Sequence, residues 1–215
     1  MTRKQPRGVL PRGCFSDIMG ENRGNGGEGM ALYTKKLIMT AFQEMLEETP
    51  FDKITVSALV KRAGISSNTF YYHYQDIYAL LDVWFRAELG RYFPPESTYE
   101  MWKNATKAML RDCREHSRLI YHLLDSRSRD RMERYLYSLS DDVLFRLVRQ
   151  AAGDRELPPE RLNEIANFCR CAYIGFVMQF FWRRMEYDID AGVDRLGLLM
   201  DGFVTGAVEA LAREQ

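Results

Sequence analysis

An excess of charge of one sign is missing from this sequence: its 215 residues carry 30 Lys and Arg against 30 Asp and Glu. A uniformly basic coat for nucleic acid is therefore excluded, and any surface that grips phosphates has to be local. Cysteine is scarce. Cys14, Cys113, Cys169 and Cys171 form no CxxC pair and no disulfide framework. On a helix, Cys169 and Cys171 point to nearly opposite sides, which argues against a shared metal; the thiols read as buried residues of a reducing cytoplasm. No run approaches the roughly 18 apolar residues of a membrane span. The N-terminus has no apolar signal-peptide core, so the expected location is the cytoplasm, with no membrane partner. Catalytic motifs are absent as well: there is no HExxH, P-loop or GxSxG. His116 and His122 lack a partner pattern and read as surface or capping residues. No enzyme activity, cofactor or metal is expected.

What the chain does have is 46% hydrophobic and 13% aromatic content, enough for one sizeable core or two small ones. Residues 1–29 hold Gly, Pro and Arg with no sustained period and read as a disordered tail. Gly24, Gly26 and Gly29 fit GxGxxG. A dinucleotide fold would need a hydrophobic strand before them, and FSDIMGENR is not one. Two other readings of the tail stand beside disorder. Arg3, Lys4, Arg7 and Arg12 could form a basic arm for a minor groove; or GGEG, immediately before Met30, is an upstream stretch read in frame, with Met30 the true start.

From Ala31 onward helix follows helix, with no convincing two-residue alternation, so the expected fold is all-α. Leu37, Ile38, Ala41, Phe42 and Met45 form a first stripe, with Thr34 as a candidate cap. Thr55 caps a short second helix carrying Val56, Leu59 and Val60; Gly64 breaks it and Ser66 caps the third. Asp76 starts a fourth, with Leu80, Leu81, Trp84 and Phe85 in its stripe, closed near Pro94 and Pro95. Later helices are expected over about 97–116, 117–126 and 130–152, then from Pro158 and Pro159 to about 184, and over 190–212.

Short helix, glycine turn and short helix is the helix-turn-helix arrangement, written here as TVSALVKRA, GIS and SNTFYYHY. Phe70 and Tyr74, four apart, share a face and would join Val56, Leu59, Val60, Ala63 and Ile65 in the core. The other face is free for a major groove. Ser67 and Asn68 suit base edges, since Asn pairs bidentately with adenine, and Tyr71 can meet a thymine methyl, a base or a phosphate. Tyr72 and His73 sit further round, suited to phosphate oxygens. From Lys53 to Gln75 there is no acidic residue, while Lys53, Lys61 and Arg62 are present where phosphates would lie.

The stretch FDKITVSALVKRAGISSNTFYYHYQDIYALLDVWF resembles the N-terminal domain of the TetR family of transcriptional regulators. The likeness runs from Leu37 to Phe85. The threonine before the second helix, the A-G-I-S turn, the recognition helix and the D-x-x-x-LL opening of the fourth helix occur in order. FYYH and DIYALL are nearest to the DhaS-like branch, which regulates dihydroxyacetone kinase operons. The resemblance implies a TetR-like fold, with a helix-turn-helix domain over 30–76 and a helical dimerisation and ligand-binding domain over 77–215. It implies base contacts from Ser67, Asn68 and Tyr71, and phosphate contacts from Thr55, Thr69, Tyr72 and His73. Lys53, Lys61 and Ser66 complete the expected DNA surface. Ile77 departs from the pattern, since many members carry a phosphate-binding lysine there; Tyr78 can substitute in part through its hydroxyl.

Beyond about Ser97 the resemblance is one of plan. The last two long helices look apolar on more than one face and fit a dimer interface, with Ala172, Phe176 and Phe180 on one and Leu196, Met200, Phe203 and Ala207 on the other. Two-fold operators also favour two-fold proteins. Trp84, Phe85, Tyr99 and Trp102, with Met109, Tyr121, Leu124 and Tyr135, exceed what a short core needs and mark a candidate effector pocket. Because few polar groups were expected near these aromatics, the expected effector is apolar or aromatic. The function so read is a homodimeric regulator of double-stranded DNA bearing a palindromic operator, a repressor released by that effector. The alternative is a helix-turn-helix activator or adaptor acting through a protein co-regulator.

Overall fold

Residues 26–94, 97–98, 101–124, 137, 144–153, 155 and 157–213 are described in the computed structural model, and among them every regular element is helical. These are α1 (Gly26–Glu48), a 3-10 turn (Phe51–Lys53), α2 (Val56–Ala63), α3 (Ser67–His73) and α4 (Ile77–Tyr92). They continue as α5 (Trp102–Glu115), α6 (Ser117–Leu124), α7 (residues 144–152), α8 (Pro159–Trp182) and α9 (Ile189–Arg213). Cys14, Tyr99 and Tyr135 lie outside the described residues. No described helix is long and apolar enough to cross a membrane.

Two helix starts differ from the sequence reading. α1 begins at Gly26, inside the stretch expected to be disordered. Thr34 is consequently interior and caps nothing; its hydroxyl donates back to the Met30 carbonyl at 2.9 Å. α5 begins at Trp102 and not at Ser97, which sits in the preceding link with its N–H bonded to the Pro94 carbonyl at 2.9 Å.

The chain divides into two compact units. The first takes the chain up to Met45 together with Thr55–Leu80, and the second takes Leu46–Ile54 and Leu81 onward. The first unit is held by Ile38, Phe42, Leu59, Phe70 and Leu80, all fully buried, with α2 packed on α3.

In the second unit α9 packs on α5 and α8, around Leu110, Val148, Phe180 and Val193. Lys107 pairs with Asp194 at 2.6 Å and Arg111 with Asp190 at 2.6 Å, so α5 and α9 are held in one register. Lys107 is half-buried while Arg111, Asp190 and Asp194 are exposed; pairs so open to solvent are screened, and they align more than they stabilise. The turn out of α8 holds Arg184 (φ 57°) and Met185 (φ 61°) in the left-handed region, where a side chain costs about 1–2 kcal/mol. Two things offset the strain: the Met185 N–H closes on the Phe180 carbonyl at 2.9 Å, and its side chain is buried.

Candidate nucleic-acid interface

Each end of the helix-turn-helix has its own chemistry. At the head of α2 the Thr55 hydroxyl accepts the Ala58 N–H at 3.2 Å, satisfying an otherwise orphaned donor. Gly64 ends α2 in the left-handed region (φ 67°), which lets the Ile65 N–H reach back to the Val60 carbonyl at 3.0 Å. Ser66 then accepts the Thr69 N–H at 3.1 Å and meets the Thr69 hydroxyl at 2.8 Å. After α3, one Asp76 carboxylate oxygen takes the N–H groups of both Tyr78 and Ala79 at 2.8 Å, opening α4.

With its ends fixed, α3 divides as its periodicity requires. Phe70 is 0% exposed and Tyr74 is buried beside it, ring centroids 5.7 Å apart; burial pushes the Tyr74 hydroxyl up to about 12. Ser67, Asn68, Tyr71 and Tyr72 are exposed, Tyr72 at 81%. Thr55, Lys61 and Ser66 are exposed as well, while Thr69, His73 and Tyr78 are half-buried. Lys53 is exposed but belongs to the second unit. The sequence reading passed over Lys35, on α1. Burial first, then the Lys35 ammonium, lowers the His73 pKa, which places an exposed cation beside the last turn of α3. Its only signal in the sequence was the Lys35–Lys36 pair ahead of the α1 stripe.

The second unit corrects part of the expected dimer surface. Phe180 (2% exposed) and Met200 are buried in the protomer's own core, and so are unavailable to a second copy. Ala172, Phe176, Leu196 and Ala207 are half-buried, and Phe203 is exposed. The outward side of α8 carries Phe168 and Trp182, and that of α9 carries Leu198 (73% exposed) and Leu199. Phe168 stacks on Phe203 with ring centroids 4.2 Å apart.

Among the residues expected to line an effector pocket, Trp84, Phe85, Trp102 and Met109 are buried, with Trp84 and Phe85 edge to face at 5.2 Å. Leu124 is half-buried, and so is Tyr121, whose hydroxyl donates to the Phe181 carbonyl at 3.1 Å. The premise of few polar groups nearby does not hold. Glu88 pairs with Arg91 at 2.7 Å, and the Tyr92 hydroxyl lies beside the Asp112 carboxylate. The Thr106 and Tyr173 hydroxyls are bonded at 3.1 Å, and the Trp102 ring stands edge-on to Tyr173 at 6.3 Å. Cys113 links the two pairs. Burial, helped by the Asp112 and Glu88 carboxylates, pushes its thiol up to about 12, and it in turn acts on Tyr173. Ser97 Oγ, Trp102 Nε1 and Glu88 Oε1 are among the described atoms buried without a hydrogen-bond partner. Leaving a buried polar atom unpaired costs about 1–3 kcal/mol.

Comparison with known proteins agrees with this architecture. The family model described as bacterial regulatory proteins, tetR family, matches residues 38–83. A second TetR model, described as a transcriptional regulator C-terminal region, matches residues 100–202. The chain belongs to the TetR family of transcriptional regulators: it is a DNA-binding regulator and not an enzyme. Among characterised proteins it is similar to the HTH-type dhaKLM operon transcriptional activator DhaS of Lactococcus lactis subsp. lactis (strain IL1403), 28% identical over 81 residues. That match takes in 38% of this chain and 43% of the relative, less than half of its length. Two solved structures share the fold. The dihydroxyacetone kinase operon activator DhaS superposes with a TM-score of 0.56 at 18% identity, over 83% of this chain and 97% of that one. The fatty acid degradation regulator FadR from Bacillus halodurans gives 0.51 at 17% identity, over 78% and 97%.

Proposed function

We propose that the chain works as a two-fold dimer that lays α3 of each copy into successive major grooves of a palindromic operator, and that a small molecule held in the helical body alters that binding. The observation that carries the reading is the division of α3. Phe70 and Tyr74 anchor it while Ser67, Asn68, Tyr71 and Tyr72 are left without a protein core to fill. Asn68 and Tyr71 read base edges. Thr55, Lys61, Thr69, Tyr72, His73 and Tyr78 hold phosphates, and Lys35 extends the same surface. Ser66 keeps α3 in place.

The dimer uses the outward faces of α8 and α9. Phe168, Gly175 and Trp182 recur every seven residues, and Leu198, Leu199 and Phe203 flank Gly202 and Gly206, whose missing side chains leave open space. Glycines four apart let helices approach closely. In direction of control, the operon-activator names of the similar proteins favour activation over the repression expected from sequence. The regulator acts in the cytoplasm, where its operator is.

Selection of bound sequences from a random DNA pool tests the reading. A palindrome with half-sites about 34–36 Å apart, or a compatible multiple, is the expected result, and a pool that shows no enrichment refutes direct operator reading. A promoter fusion with and without the regulator then gives the direction.

A further inference from the structure

Buried polar atoms in folded proteins are almost always hydrogen-bonded, and the exceptions mark places where something else belongs. Two of the exceptions, at Ser97 and Trp102, lie five residues apart. Phe93 and Trp102 both stand edge-on to Tyr173, at 6.5 and 6.3 Å. Ser97 lies in the link between them, tied back to Pro94. Ser97 (4% exposed) and Trp102 (3%) are both enclosed, with Oγ and Nε1 unmet. The Glu88 carboxylate acts on Cys113, and Cys113 on Tyr173, so Glu88 lends negative charge to these surroundings. The Thr106–Tyr173 hydroxyl pair, between α5 and α8, supplies two more groups able to donate or accept.

The unmet groups are mixed in character. An indole N–H donates only, and a serine hydroxyl both donates and accepts. Their complement must both accept and donate. It cannot be hydrocarbon, which would leave every one of them unmet. Arg91 is engaged with Glu88 and lies over the Tyr92 ring, and the Asp112 carboxylate adds negative charge, so the surroundings disfavour an anion.

We infer that the effector is an uncharged, hydrogen-bonding small molecule with neighbouring hydroxyl or carbonyl groups, held against α5 and α8 by Trp102 Nε1 and Ser97 Oγ. This rests on the reading of the chain as a ligand-responsive regulator, and it replaces the apolar effector expected from sequence.

The test follows the melting temperature of the full chain against four probes: hydroxyacetone and erythritol as neutral hydrogen-bonding molecules, glycerol 3-phosphate as an anion, and toluene as a hydrocarbon. A saturable rise at millimolar concentration with a neutral probe is expected, absent with the other two and lost in Ser97→Ala and Trp102→Phe. Ser97→Ala carries a second readout. Removing an orphaned hydroxyl leaves the ligand-free melting temperature unchanged or higher, whereas a fall of several degrees would show that the hydroxyl already has a partner and overturn the inference. Saturation by toluene or glycerol 3-phosphate alone, or by no probe, overturns it too. Operator binding measured in parallel separates the two readings. A protein that shifts its operator but ignores both neutral probes refutes the ligand class alone; one that binds a neutral probe but no DNA refutes the regulator reading alone.

Discussion

Gly64 is the position where a single atom should cost a calculable amount. Its φ of 67° and ψ of 32° lie in the left-handed region, yet a Cβ built there would meet nothing within 4 Å. The steric part of any substitution is therefore missing and only the backbone part remains, about 1–2 kcal/mol for an ordinary L-residue. Gly64→Ala should lower the unfolding free energy by that amount, or the melting temperature by roughly 2–4 °C per kcal/mol for a chain of this size. Gly64→Asn should cost less, because its short polar side chain tolerates the region, and Gly64→Val more, because a β-branch does not. The same order should appear in operator affinity. With seven residues α3 cannot hold itself together; its angle depends on the turn, whose bond from Ile65 to the Val60 carbonyl exists only in this conformation. Urea unfolding and operator titration of the three variants give both numbers. An Ala variant as stable as the wild type would refute the left-handed turn. A loss beyond about 4 kcal/mol would instead show that the added methyl collides with something.

Asn68→Ala should cost about 1–3 kcal/mol on the selected operator and little on random DNA, whereas Lys61→Ala should weaken both alike; quantitative shifts that fail to separate the two would overturn their assignment to base and phosphate. Leu199→Glu should yield a folded monomer in light scattering, while Phe180→Glu, charged inside the core, should unfold the chain; a dimer that survives Leu199→Glu places the interface elsewhere. Glu88 gives a pH signature. Burial, the largest influence, raises its pKa above the ordinary 4.5 despite Arg91, so the folded chain favours the protonated acid. Its contribution is fully present below 4.5 and is lost as pH rises through the raised value. Glu88→Gln should flatten the fall in stability above pH 4.5, and an unchanged slope in calorimetry would contradict the burial.

The parts of this molecule that could be read in its sequence are those whose hydrogen bonds close within a few residues. Thr55 to Ala58, Ser66 to Thr69 and Asp76 to Ala79 each span three positions, and the helix-turn-helix is built from them. Ser97 shows the limit of that logic: a helix was expected to open there, but the serine is buried and α5 starts at Trp102. The polar contact between α5 and α8 was illegible for a stronger reason, since Thr106 meets Tyr173 across 67 residues and no local pattern announces it. The last two helices posed a third problem. α8 is apolar both along Cys169, Val177 and Phe180, which face the core, and along Phe168 and Trp182, which do not. Periodicity detects each stripe but cannot rank them, because a residue waiting for a second copy and one waiting for its own chain have the same hydrophobicity. What separates them is the volume already filled inside the protomer. The buried stripe lies in the core that α8 shares with α9, and the exposed stripe carries the glycine a close neighbour would need. The residues worth mutating for dimerisation are thus those the core had no room to take.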